Sequence, residues 1–325
     1  MNNYAPVLSD AADWLEGQSL PRRLAVGYSG GADSTALLLA LLTRGHEVLA
    51  WHVDHGWHAD SAAQADALAA RARAWGVEFH QARVKPHTAR NREAEARKAR
   101  FGQFALWAAG QGVDTLCLAQ QRDDQSETVC MRMLQGAGVA GCCGMRQRRD
   151  WQGLHIIRPL LHVGRQELSR ALRDAGVQWY EDASNRDTTL LRNRIRHQFF
   201  PAMRRNGIEP DELFGRWQKQ ASRLSERLNR EADVVPIHVS KSGIELSWES
   251  WQQSSRAVRA VLLQRMNARL FGEGRVLGRR HIMLAEKWRE HGGHRGIDLS
   301  GCRLSRCSGR LHLAPAPVRL APYPR

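Results

Sequence analysis

The sequence predicts an α/β protein: a parallel sheet covered on both faces over residues 1–205, then a smaller, mainly helical domain with a short hairpin over residues 206–325. Three observations carry this. Strand-like and helix-like segments alternate through the first two hundred residues, the pattern of βαβ units. Glycines punctuate the ends of those segments, as at Gly45, Gly76 and Gly110. After Pro201 the alternation gives way to amphipathic helices. At 325 residues, roughly two domains are expected.

In order, Leu24 to Tyr28 is a short apolar strand that runs into Ser29-Gly30-Gly31. Asp33 to Thr43 is an apolar helix, and Gly45 falls where a left-handed C′ glycine ends one. Glu47 to Val53 reads as a second strand. A helix from about Asp60 to Trp75 and a strand at Val77 to Gln81 follow. Glu93 to Ala109 is a helix rich in Ala and Arg. Asp114 to Ala119 is a strand, and Gln125 to Leu134 a helix that leads to the turn Gly136-Ala137-Gly138. In the second domain Leu213, Phe214, Trp217, Leu224 and Leu228 recur at helical spacing. Helical patterns return at Trp248 to Phe271 and Leu277 to Glu290, and Ile297 to Leu313 reads as a hairpin. Trp217, Trp248, Trp251 and Trp288 are expected in the core or at interfaces rather than as stacking platforms.

Composition excludes several classes. The most apolar run, Ala36 to Leu42, is far short of the ~20 residues that span a bilayer. Asp10, Asp13 and Glu16 near the start do not make a basic leader, so a cytoplasmic protein with no membrane partner is expected. The six cysteines, with Cys142 and Cys143 adjacent and no C-x-x-C, form neither a disulfide framework nor a zinc set. Lys plus Arg number 48 against 33 acids, for a net charge of +15, and only five of the cations are Lys. The Arg-over-Lys bias also fits a GC-rich genome. The net charge points to a polyanionic partner.

Three polar clusters fall at strand ends: Ser29 to Ser34, Asp54-His55, and Gln120 to Gln125. In parallel sheets ligands bind beyond the carboxyl ends of the strands, so these clusters locate the site. In Ser29-Gly30-Gly31-Ala32-Asp33-Ser34, two glycines let backbone N–H groups approach an anion, and the helix that follows adds its dipole. The loop has neither the lysine of a Walker A motif nor the G-x-G-x-x-G spacing. The six residues alone also fit a tight βα turn capped by Asp33. Asp33, Asp124 and Asp123 are carboxylates available for a hard divalent cation. Glu127 lies one helical turn beyond Asp123 and Asp124. Arg97 and Arg100 share one face of a helix and suit phosphate or developing charge; a solvated basic face is the competing reading. Residues 186–205 carry six Arg and one acid, a density suited to a nucleic acid backbone.

The hexapeptide resembles the PP-loop of the N-type ATP pyrophosphatases. The wider sequence resembles the tRNA(Ile)-lysidine synthase family through His52-Val53-Asp54-His55-Gly56, Glu93 to Arg97 with Arg100-Phe101, and Asp123 to Thr128. The likeness continues through Gly136-Ala137-Gly138, Arg158-Pro159-Leu160-Leu161, Trp179 to Asn185, and Arg192-Asn193-Arg194-Ile195-Arg196. It implies a PP-loop ATPase domain of the adenine nucleotide α-hydrolase-like fold. The implied activity joins L-lysine to C2 of the wobble cytidine of tRNA(Ile) with a CAU anticodon, through an adenylated intermediate, with release of AMP and pyrophosphate. ATP and Mg²⁺ are the implied cofactors. The implied roles are catalysis by Asp33, Asp124, Glu127 and Arg97, and nucleotide binding by Ser29, Gly30, Gly31, Ala32, Asp33, Ser34, Asp54 and Arg100. Asp33 and Asp124 would hold the metal, Asp124 and Glu127 the lysine or Mg²⁺, and Arg192, Arg194 and Arg196 the tRNA. Only the first of the family's appended modules is expected, and a homodimer stays open. Two departures stand out: Gln120-Gln121 in place of a His pair, and Trp57-His58 in place of Leu-Arg. A tRNA thiolase of the same superfamily and a catalytically impaired tRNA-binding protein are the alternatives; the cysteine spacing argues against the first, and Gln120-Gln121 motivates the second.

Overall fold

The computed structural model describes residues 5–54, 61–84, 92–181, 187–240, 242–272 and 275–316, without the side chains of 92–94. His55, Gly56, Trp57, His58, and Asp182 to Arg186 therefore lie outside the described residues. The chain forms two compact units, residues 1–131 with 144–215, and residues 132–143 with 216–325.

The first unit opens with α1 (Ala11–Trp14) and β1 (Arg23–Gly27). It continues through α2 (Ala32–Thr43), β2 (Glu47–Asp54), α3 (Ser61–Ala74), β3 (Glu78–Arg83), α4 (Arg92–Gln111) and β4 (Thr115–Cys117). Next come α5 (Arg122–Leu134), the short α6 (Val139–Cys142) of the second unit, β5 (Arg148–Trp151), β6 (Leu154–Ile157) and α7 (Arg165–Asp174). A final helical stretch comprises α8 (Leu191–Arg194), a π turn at Ile195–Phe199, and α9 (Phe200–Arg205).

The sheet order is β3-β2-β1-β4-β6-β5. Every pairing is parallel except that of β5 with β6. The antiparallel edge was not legible beforehand. It arises because Gln152 and Gly153 both take positive φ, 49° and 79°, the requirement of a two-residue hairpin turn matched to strand twist. The chain adds β2 and β3 on one side of β1 and β4 on the other, so a crevice opens above β1 and β4, where open α/β sheets bind ligands.

The apolar run in α2 is buried from Ala36 to Leu41. The helix ends as expected: Gly45 has φ 79°, and the N–H groups of Gly45 and His46 donate to the carbonyls of Leu42 and Leu41, a Schellman closure.

The second unit contains more strand than the single expected hairpin. Strands β7 (Ile237–Ser240), β8 (Gly243–Ser247), β9 (Ile297–Leu299), β10 (Cys302–Cys307) and β11 (Arg310–Pro315) form an antiparallel sheet in the order β7-β8-β11-β10-β9. Its helices are α10 (Pro210–Asp233), α11 (Trp248–Gln253), α12 (Arg256–Phe271) and α13 (Arg279–Glu290), α10 beginning within the first unit. Ser255 breaks the expected Trp248–Phe271 helix because its hydroxyl caps the N–H of Val258. Trp248, Trp251 and Trp288 are buried against one another, whereas Trp217 is exposed. All six cysteines are free thiols. No helix among the described residues is long and apolar enough to cross a membrane.

Candidate active site

The turn between β1 and α2 is closed on itself. Ser34 Oγ accepts from the Ser29 N–H at 3.3 Å and donates to the Gly31 carbonyl at 3.1 Å, and it lies 3.1 Å from Ser29 Oγ. Gly30 takes φ 79°, and its carbonyl accepts the Tyr180 N–H at 2.9 Å. Gly31 occupies the N-cap of α2 with no side-chain cap. The first N–H groups of a twelve-residue helix are thus left for an incoming anion. The cleft above is lined from the end of β1 and the turn after it by Gly27, Tyr28 and Ser29, from α2 by Asp33 and Ser34, from β2 by His52 and Val53, from α4 by Arg100, and beyond β4 by Gln120 and, on α5, Asp124. The structure thus brings together the ends of β1, β2 and β4; residues of the first and third polar clusters line the cleft, whereas Asp54 is not among its lining residues and His55 lies outside the described residues.

Asp124 and Glu127 lie on α5. Glu127 is 1% exposed. Arg196 donates to it from Nε at 2.6 Å and Nη2 at 2.8 Å, and Arg192 from Nε at 2.8 Å. Asp124 Oδ1 takes Arg192 at 3.0 Å, Arg165 at 3.2 Å and Arg196 at 3.3 Å. Burial pushes the Glu127 carboxyl up, but the hydrogen bonds and charges of Arg196 and Arg192 outweigh it and hold the group below its ordinary range. Asp33 goes the other way. Burial first, then the charge of Asp124, raises its carboxyl to about 6 against the pull of Arg165 and Arg196.

Arg192, Arg194 and Arg196 were expected at an RNA backbone, and their placement differs. Arg192 and Arg196 are four apart, so one helical turn brings both to the carboxylates of α5. Arg194, two positions from each, faces solvent with no acidic partner among the described residues. Arg100 lines the cleft, and burial lowers it to about 10, with Arg97 adding to the shift. Arg97 stacks over Phe101 at 4.8 Å. Asp54 ends β2 with Arg83 Nε at 3.6 Å; His52 and Val53 are that strand's cleft-lining residues.

The two glutamines take distinct positions. Gln121 is fully buried. Its Oε1 accepts the Asp123 N–H at 2.5 Å, while Asp124 Oδ2 accepts the Gln121 N–H at 3.2 Å, a reciprocal cap on α5. Gln120 accepts from Arg158 Nε at 3.0 Å. Sequence reasoning missed Arg165, which had no local signal, and His52, whose Nδ1 meets the Tyr28 carbonyl at 2.9 Å. Burial lowers the affinity of His52 for a proton.

Among the described residues no three His, Cys, Asp or Glu form a metal cage. Asp33 Oδ1 is, however, buried without a hydrogen-bond partner. That fits Mg²⁺, which takes one or two carboxylates and completes its shell with phosphate oxygens and water.

A family model described as a PP-loop domain matches residues 8–203. Proteins named tRNA(Ile)-lysidine synthase are similar. That of Chlamydia felis is 34% identical over 68% of this chain and 74% of its own length. That of Hyphomonas neptunium is 32% identical over 92% and 84%. That of Pseudomonas fluorescens is 39% identical over 69% of this chain but only 51% of its own length. Among solved structures, the U34-tRNA thiolase NcsA from Methanococcus maripaludis aligns with a TM-score of 0.52 at 15% identity, covering 66% of this chain and 77% of that one. At that identity the likeness speaks to the fold alone.

Proposed function

Because the chain belongs to the tRNA(Ile)-lysidine synthase family of PP-loop proteins, we propose that it joins L-lysine to C2 of the wobble cytidine of a tRNA(Ile) with a CAU anticodon, with cleavage of ATP to AMP and pyrophosphate. One observation carries the reading: the uncapped start of α2 and Asp124 of α5 line one cleft at the β1/β4 crevice.

The β and γ phosphates of ATP lie at the N–H groups of Ala32 to Ser34, with the hydroxyls of Ser29 and Ser34 as further donors. Asp33 and Asp124 would hold Mg²⁺, which would supply positive charge against the phosphates. Arg100, and Arg97 behind it, stabilise charge on the α phosphate as the cytidine O2 attacks. Asp54 borders the nucleoside. Adenylation turns that oxygen into a leaving group, and the lysine ε-amine then displaces AMP.

Asp124 and Glu127 receive the lysine ammonium. Since both carboxylates are held by guanidinium groups in the free protein, lysine enters by exchange: its ammonium takes a place on the carboxylates, and its own carboxylate takes the released Arg192. Arg194 and the exposed cations of α10, such as Arg216, Lys219 and Arg223, contact tRNA phosphates, in keeping with the net charge.

The test is incubation with ATP, Mg²⁺, labelled lysine and CAU-anticodon tRNA. Lysine incorporation matched one for one by AMP and pyrophosphate is expected. tRNA binding without either product would overturn the proposal in favour of a binding protein.

A further inference from the structure

Arg158 is 4% exposed, yet only neutral acceptors hold it. Its Nε donates to Gln120 Oε1 at 3.0 Å and its Nη1 to the Arg146 carbonyl at 2.8 Å. No carboxylate pairs with it among the described residues. A buried charge without a counter-charge is costly, and its neighbours raise that cost. Arg149 on β5 pairs with Ile156 on β6. Arg158 follows Ile156 by two positions, so Arg149 and Arg158 emerge on one face as a diagonal cross-strand pair. Trp151 shares that face. Its ring meets Phe101 edge-on at 5.5 Å, and Arg97 lies over Phe101 at 4.8 Å. Arg100, one turn along α4, borders the cleft, as does Gln120. Arg97, Arg100 and Arg149 likewise have no acidic partner among the described residues.

We propose that Arg158, with Arg97, Arg100 and Arg149, forms a receptor for phosphate oxygens beside the cleft, and that Gln120 is the positioning residue that aims Arg158 into it. Burial, and then Arg97 and Arg149, lower Arg158 to about 10; four guanidiniums kept together at that cost answer to an anion. The row runs from exposed Arg149 to cleft-lining Arg100, the course of an RNA backbone entering with its target base. The phosphates of ATP carry the same chemistry from the other side. The inference rests on the functional reading for the source of the phosphate only, so it is tested by binding, with no turnover required.

Gln120→Glu gives Arg158 the carboxylate it lacks at constant shape. Arg149→Gln removes an exposed cation. For each variant, the measurements are affinity for CAU-anticodon tRNA across about 50 to 250 mM salt, affinity for ATP, and the melting temperature. Gln120→Glu is expected to melt higher while binding tRNA about tenfold more weakly. Arg149→Gln, at an exposed position away from the cleft lining, is expected to reduce the logarithmic salt slope by about 0.7 to 0.9, with ATP affinity unchanged. A loss of ATP affinity with tRNA binding intact assigns the receptor to the nucleotide. Unchanged affinity for both ligands in both variants overturns the proposal, whether or not lysine is ever incorporated. A purely structural Gln120–Arg158 contact would move the melting temperature alone.

Discussion

Asp33→Asn offers a direct reading of the electrostatic cost built into the cleft. In the folded chain the Asp33 carboxyl sits at about 6 rather than 3.8, chiefly through burial and secondly through Asp124. The folded state therefore binds this proton more tightly than the unfolded state. The sign follows: stability is reduced above the folded value, where the charge must be buried, and is regained as pH falls from about 6 towards 3.8. A displacement of that size corresponds to about 3 kcal/mol, and residual contact with water lowers the expectation to about 2 kcal/mol. Asn keeps the shape and carries no charge. In urea unfolding without nucleotide, Asp33→Asn should be about 2 kcal/mol more stable than the parent at pH 8, and the gap should close near pH 4. Saturating ATP and Mg²⁺ should reverse the order at pH 8, because only the parent gains the bound ligand's stabilisation. A less stable Asn variant at pH 8 without nucleotide, or a gap that ignores pH, would refute the reasoning.

Two further predictions address the loop and the carboxylates. Gly30→Ala puts a methyl group into Leu68 Cδ2 at a backbone φ of 79°, and should cost about 2 to 4 kcal/mol along with ATP affinity. Adding Leu68→Ala should restore part of the nucleotide affinity, and no restoration would place the fault elsewhere. Glu127→Gln leaves Arg192 and Arg196 without their buried counter-charge and should cost about 3 kcal/mol by chemical denaturation. Because Glu127 is held below its ordinary 4.5, its contribution is whole above that pH and is lost as pH falls through the lowered value. A parent–variant difference that persists unchanged at strongly acid pH would count against the ion cluster.

Much of the site was legible because its signals are local. A glycine pair between an apolar strand and an apolar helix constrains its own backbone, and Asp123, Asp124 and Glu127 occupy one helix whatever surrounds them. The roles of the cations were not legible in the same way. Arg192, Arg194 and Arg196 look alike in sequence. A guanidinium pairs with whatever carboxylate the fold brings near, and the partners of Arg192 lie 65 and 68 positions away. Gln120 and Gln121 likewise read as one substitution but serve two ends, one capping α5 and the other holding Arg158.

The sequence by itself determined the βαβ alternation, the glycine turn ahead of α2, and the helix that carries the carboxylates, since each follows from spacing within a few residues. Tertiary structure alone decided the antiparallel edge, the five-stranded sheet of the second unit, and which arginines neutralise Asp124 and Glu127 and which remain unpaired. Those outcomes depend on charges and strands meeting across long stretches of chain, where desolvation and Coulomb attraction are set by the folded neighbourhood rather than by the order of residues.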